Sequence, residues 1–303
     1  MKIAFGLLFT ACLALCQIEV LPVQGNVYML AGAGGNITLQ LGEQGILAVD
    51  TGAAPMSDKV IAEVRKLSKK PLRYVVNTSV LNDHTGGNEA FSKAGGTSTV
   101  VNIVNTPGSS ASNSIQILGH EAILDRMTKT RASLAWPTDT FFDDPKELYF
   151  NGESLQILHQ PSAVTDGDSL VYFRRSDVVS TGDIFMTTGY PPISLENGGG
   201  IQGILDALNR ILDITIPAHH EEGGTMVIPG HGRICDEADV IEYRDMMTII
   251  RDRIWASMRK GMTVEQIKAS RPTMDYDGLY NVNRTTADKF VETVYKSLAG
   301  KKS

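Results

Sequence analysis

The chain has 303 residues, 42% hydrophobic and 20% charged, a globular composition long enough to bury a large core. A net charge of −6 argues against a nucleic-acid or anionic-membrane partner. The densest basic run, Arg65-Lys66 with Lys69-Lys70, interleaves with Val64 and Leu67 at helical spacing and reads as the solvated face of one helix.

In chain order, residues 1–16 read as a signal peptide. Lys2 supplies a short positive start, and Ile3 to Cys16 is apolar, uncharged and too short to span a bilayer. Ala14-Leu15-Cys16 places small residues where a signal peptidase needs them, so cleavage before Gln17 and a periplasmic or secreted product are expected. Lipid attachment at Cys12 or Cys16 is disfavoured because Phe9 and Leu15 suit a lipobox poorly. Cleavage would leave Cys235 alone, without an intramolecular disulfide. Residues 17–303 read as one domain with no stable membrane span.

Residues 26–30 and 37–41 read as strands, with a turn at Glu43-Gln44-Gly45 and a buried strand at 46–49 ending in Asp50-Thr51-Gly52. Val60, Ile61, Val64 and Leu67 predict a helix within 55–70. Another strand, Arg73-Tyr74-Val75-Val76, leads into Asn77–Asn88, NTSVLNDHTGGN. Residues 99–104 read as a strand and 121–127 as a helix. Hairpins are predicted at 147–159, turning on Asn151-Gly152, and at 169–181, turning on 174–177. A helix over 201–214, a last strand over 225–228 and a long helix over 237–259 follow. Thr263-Val264-Glu265-Gln266 is a capping box opening another helix, and 286–298 the terminal one.

An Asp-His pair at the carboxyl end of a strand, followed by glycines that let the backbone turn, is where α/β sheets place chemistry. Thr165-Asp166-Gly167-Asp168, Ser180-Thr181-Gly182-Asp183 and Pro229-Gly230-His231-Gly232 likewise follow or flank strand-like runs. With Asp83-His84-Thr85-Gly86-Gly87-Asn88 they resemble, in order and spacing, the metallo-β-lactamase superfamily over about residues 27–298. That resemblance implies an α/β fold: an αββα sandwich of two mixed β-sheets flanked by helices, with the site at one edge.

The resemblance also implies a selective loss. The family's His-x-His-x-Asp-His falls here on Ser79, Leu81, Asp83 and His84, and its next metal histidine falls on Val164. The first metal site therefore lacks three imidazoles. The second, carried over by position, is complete in Asp83, His84, Asp183 and His231. Two nitrogens and two carboxylates suit one Zn²⁺, and would also suit iron or manganese.

The expectation is a single-metal hydrolase of a small-molecule ester, thioester, lactone or amide, with Asp83 and Asp183 as catalytic carboxylates. The alternative is a non-catalytic binding or scaffold protein whose metal is structural or absent. His159, just before Val164, is a possible substitute ligand. His120 reads as a loop or outer residue, the His219-His220 pair as solvated. Asp166 and Asp168 read as turn formers, and Cys235 as a small packed hydrophobe. Residues 136–144 and 189–200 are the expected substrate-side loops, as a mobile wall or a cover for the sheet edge.

Overall fold

The computed structural model describes residues 17–95, 115–220 and 223–300. The proposed signal peptide and the strand expected at 99–104 lie outside them.

Two sheets form the frame. Strands β1 (Glu19–Gln24), β2 (Val27–Ala33), β3 (Gly35–Gly42) and β4 (Gly45–Val49) make an antiparallel meander. Beyond β4, strands β5 (Leu72–Val76), β6 (Gln116–His120) and β7 (Asp139–Phe141) add in parallel. Helix α1 (Ser57–Leu67) makes the crossover from β4 to β5. Its core-facing Val60 and Val64 are fully buried, four residues apart as one helical stripe requires. Two short helices follow β5, α2 (Asn82–Thr85) and α3 (Asn88–Gly95), and α4 (Glu121–Thr130) follows β6.

The second sheet has five strands, in the order Met226–Ile228, Val178–Ser180, Asp168–Phe173, Glu153–Gln160 and Lys146–Phe150. Its hairpins are β8 (Lys146–Phe150) with β9 (Glu153–Gln160), and β10 (Asp168–Phe173) with β11 (Val178–Ser180). Asn151 and Gly152 both take positive φ, 50° and 83°, as a tight two-residue hairpin demands. Helix α5 (Ile201–Ile214) carries the chain from β11 to its parallel neighbour β12 (Met226–Ile228). Helices α6 (Glu237–Arg259), α7 (Val264–Ser270), α8 (Met274–Asp277) and α9 (Arg284–Gly300) complete the outer layer. Asp236 and Thr263 close capping boxes that start α6 and α7.

The layers follow from strand alternation. Met29, Leu47, Val49 and Val76 meet Ile157, Val171, Phe173 and Ile228 between the sheets. The other face of the first sheet packs Ile37, Ala48 and Val75 on Val60, Val64 and Phe91. On the far side, α5, α6 and α9 close over the second sheet with Leu208, Tyr243, Ile250 and Val294. Each buried valine, leucine, isoleucine, methionine or phenylalanine among them contributes about 1.5–3 kcal/mol by leaving water.

The structure corrects the sequence reading in three places. β1 was not expected: it is an edge strand with Pro22 and exposed positions, which lack a buried strand's alternation. β6 was not expected either, and His120 lies at its end. The 136–144 region is partly sheet, since β7 occupies 139–141.

Candidate metal centre

The chemistry-bearing residues sit where parallel strands end. Asp50 follows β4, the stretch to His84 follows β5, Asp183 follows β11, and His231 follows β12. The carboxyl ends of both sheets thus deliver side chains to one place.

Asp83, His84, Asp183 and His231 converge there, each offering a ligand atom within 4.8 Å of the others. His84 Nε2 is 3.1 Å from Asp183 Oδ1 and 4.0 Å from Asp83 Oδ1. His231 Nε2 is 3.0 Å from Asp83 Oδ2 and 3.4 Å from Asp183 Oδ1. Four ligands about 2.0–2.2 Å from a tetrahedral ion lie roughly 3.3–3.6 Å apart, so the spacing fits.

Two further observations favour a cation. His84 Nε2 and Asp183 Oδ1 are buried without a hydrogen-bond partner: the pair is close, but off hydrogen-bonding geometry. Buried polar atoms are rarely left so, and two aimed at one point need a common partner. The centre also has a wet side. The side chains of Asp83 and His231 are 33% and 24% exposed, whereas that of Asp183 is only 2% exposed.

The supporting residues explain the orientation. His84 Nδ1 lies 2.7 Å from Asp50 Oδ2, so donation to Asp50 turns Nε2 towards the centre. Asp50 is itself held by the Thr78 N–H at 2.8 Å and the Thr78 hydroxyl at 2.6 Å. Burial opposes a charge on His84, yet Asp183 and Asp50 outweigh it and raise its pKa well above the usual histidine value. The hydrogen bond from His231 holds the Asp83 carboxyl down at about 2, against the opposing effect of burial and with help from the charge of His84.

The His231 loop is fixed from the first sheet. Asn36, on β3, donates its side-chain amide to Pro229 O at 2.9 Å and Gly232 O at 3.0 Å. Its backbone N–H donates to Gly230 O at 2.8 Å. Gly230 has no room for a side chain: a Cβ there would lie 2.2 Å from Asp183 Oδ1. Gly182, at φ +53°, makes the left-handed turn that presents Asp183. Sequence reading missed Asp50 and Asn36. The Asp50-Thr51-Gly52 turn after a buried strand was a signal for the first, while nothing local marked the second.

The vacated positions look different. Val164 and Ser79 are buried, and Leu81 packs against the apolar cluster that contains Val164. His159 does not fill the gap. Its Nε2 is 2.7 Å from Asp166 O, and its ring stacks on His120 at 3.7 Å between centroids. His120 Nδ1 in turn accepts from Ala122 N at 3.3 Å, capping α4. Asp166 pairs with Arg126, and Asp168 accepts from Thr165 N and Oγ1. Cys235 is buried and offers the cluster no ligand atom. Tyr190 is part of the core, stacked on Phe290 at 4.6 Å, so this end of the 189–200 loop is a fixed wall and no lid.

A family model described as the metallo-beta-lactamase superfamily matches residues 22–231. The chain belongs to the metallo-β-lactamase superfamily. It is 26% identical over 295 residues to a linear primary-alkylsulfatase of Pseudomonas sp. (strain ATCC 19151), covering 85% of this chain and 54% of that protein. The chain thus spans about half the length of that relative. Among solved structures it resembles the stereoselective inverting sec-alkylsulfatase Pisa1 from Pseudomonas sp., with a TM-score of 0.67, 15% identity, and coverage of 94% of this chain and 50% of that one. A metallo-beta-lactamase from Pontibacter korlensis matches with a TM-score of 0.58 and 15% identity, over 77% of this chain and 99% of that one. Members of the superfamily bind divalent metals and include hydrolases, and two mixed sheets of seven and five strands flanked by helices are its fold.

Proposed function

We propose that this protein is a single-metal hydrolase of small esters, with sulfate esters as the first class to try. The observation that carries this reading is the convergence of Asp83, His84, Asp183 and His231 around two buried atoms that lack any other partner. The sequence relation to an alkylsulfatase supports the substrate class.

These four residues would hold one divalent ion, zinc before iron or manganese. Bound there, the ion supplies Lewis-acid chemistry: it polarises an ester oxygen and acidifies water. The chain supplies the rest. Donation from His84 Nδ1 to Asp50 turns Nε2 towards the centre, where it would lose its proton to ligate the ion. Asp183 is sealed from solvent and serves mainly to hold charge in place. Asp83, on the wet side, is the carboxylate placed to accept a proton from an attacking water. We further propose that maturation removes residues 1–16 and places the protein outside the cytoplasm, which N-terminal sequencing of recovered protein checks.

The second reading, a non-catalytic member, draws on Leu81 and Val164, which leave the first ion no seat. Metal analysis of the purified protein, joined to a screen of alkyl sulfates, carboxylic esters, thioesters and lactones before and after chelation, separates the two. One tight equivalent and chelator-sensitive turnover support the hydrolase. One equivalent without turnover on any class supports the binding module.

A further inference from the structure

A cleft of about 880 Å³ reaches the chain just before the metal centre, and none of the four candidate ligands lines it. Val80, Leu81 and Asn82 form one side, and Asn82 directly precedes the candidate ligand Asp83. Residues of α4 and the residue that ends it, Arg131, complete the lining with Asp166, Glu196 and Asn197.

Three cations line this cleft, and they differ in how their charge is met. Arg126 donates to Asp166 Oδ2 at 2.6 Å and to Asn197 Oδ1 at 3.0 Å, so it is neutralised. Lys129 is exposed in the last turn of α4, where the helix dipole and water suffice for it. Arg131 is half-buried and donates to Asn82 Oδ1 and to Thr85 O. Both acceptors are neutral, and among the described residues no carboxylate pairs with it. Burial accordingly lowers its pKa. A partly dehydrated charge with only neutral partners is costly, and an incoming anion would relieve it. Asp125 and Glu196, the other acids on the lining, are exposed.

The adjoining side is apolar. Leu81 and Val80 face the cleft, and Leu81 occupies a motif position that in the wider family carries a metal-binding imidazole. We propose that Arg131 receives the anionic group of a ligand whose hydrocarbon part lies on Val80 and Leu81, so that the cleft selects amphiphilic anions over neutral molecules. This names the substrate class of the proposed hydrolase site and rests on that reading for its catalytic meaning, but binding can be measured apart from turnover.

The probe is 1-octanesulfonate, which has no ester to cleave, titrated calorimetrically into metal-loaded and metal-stripped protein, with octyl glucoside as the neutral comparison. The unmodified protein should bind the sulfonate in both states and the glucoside at least tenfold more weakly. R131Q should lose roughly tenfold or more in sulfonate affinity, and R131K should keep part of it. N82D gives the guanidinium the carboxylate it lacks without removing the contact, so it should abolish sulfonate binding while leaving the melting temperature unchanged or higher. A purely structural Arg131 would leave N82D binding intact. Equal affinity in the unmodified protein and N82D overturns the proposal, as does sulfonate binding that vanishes when the metal is stripped. Absence of hydrolysis with these binding results intact would count against the proposed reaction alone.

Discussion

Asp83, His84, Asp183 and His231 differ from Ser79, Leu81 and Val164 in what surrounds their side chains. The first group has been kept polar at some cost. It holds two buried atoms without partners, a histidine oriented by Asp50, and a loop held by three hydrogen bonds from Asn36. In the second group, Val164 is buried in the apolar layer under α5 and α6, and Leu81 packs against that layer from the cleft side. Ser79 keeps the one polar side-chain atom of this group, a buried Oγ without a hydrogen-bond partner. One half of the pocket gathers four ligand-type side chains and the other is mostly apolar.

The largest expected effect comes from breaking the ligand-bearing half. Asp83→Ala or His231→Ala should weaken metal binding by roughly 100-fold or more, read by competition with a chromophoric chelator, since each removes a direct ligand. Affinity within a factor of three of the unmodified protein would mean that the cluster is an ordinary network of charged side chains.

Refitting the apolar half is the complementary test. Ser79→His, Leu81→His and Val164→His together should raise tight stoichiometry from one towards two. The same change should cost about 2–4 kcal/mol of stability, because imidazoles replace side chains in an apolar layer. Two tight equivalents in the unmodified protein would show that the layer had not closed the first position after all.

Asp50 tests whether the contrast extends beyond the ligands. Asp50→Asn should lower metal affinity by about 10–100-fold, as loss of an orienting partner does. It should also cost the metal-free protein about 1 kcal/mol or more, because the amide offers one oxygen to the Thr78 and His84 donors and removes a charge that supports His84. Metal binding should also release a proton near neutral pH, because the metal-free site raises the pKa of His84. Calorimetry in buffers of different ionisation enthalpy measures it, and a value near zero would mean that His84 is already neutral.

How far the sequence carried the reading follows the same division. The four residues that converge were legible because each sits in a short local motif after a strand-like run. Leu81 and Val164 were legible as losses for the same reason. Asn36 was not, because it acts on carbonyls 193 and 196 residues away, and no local pattern encodes a contact between two sheets. His159 was ambiguous in sequence, since a strand-end histidine near a vacated position fits either role; its stacking on His120 and its bond to Asp166 decide the matter. The edge strand β1 escaped because half-exposed strands carry weak alternation, and β6 because its five residues are buried nearly throughout and show no period.

The smallest expected effect separates Asp168 from the metal ligands. Burial pushes its carboxyl up to about 7, against the lowering hydrogen bonds from Thr165. In the unfolded chain the same group titrates near 3.9, or about 4. The folded state therefore keeps a proton that the unfolded chain releases as pH rises from about 4 to 7, and stability falls over that window. The slope is at most about 1.4 kcal/mol per pH unit, the value for one proton. Asp83 has the opposite sign: held down at about 2, it contributes stability above about 4 that is lost as pH falls. His84 adds to the fall only above about 6.5, its unfolded value, whereas His120, whose pKa burial lowers, works in the opposite direction just below about 6.5. Asp168 is therefore read from the difference between the unmodified protein and Asp168→Asn over about pH 4.5 to 6. Urea denaturation of metal-free protein across that range should show stability declining with pH, and Asp168→Asn should flatten the decline. The amide can offer only one oxygen to the two Thr165 donors, so it should also carry a pH-independent loss of about 1 kcal/mol. An unchanged slope in the variant would mean that Asp168 is ionised throughout, and that some other buried acid binds the proton.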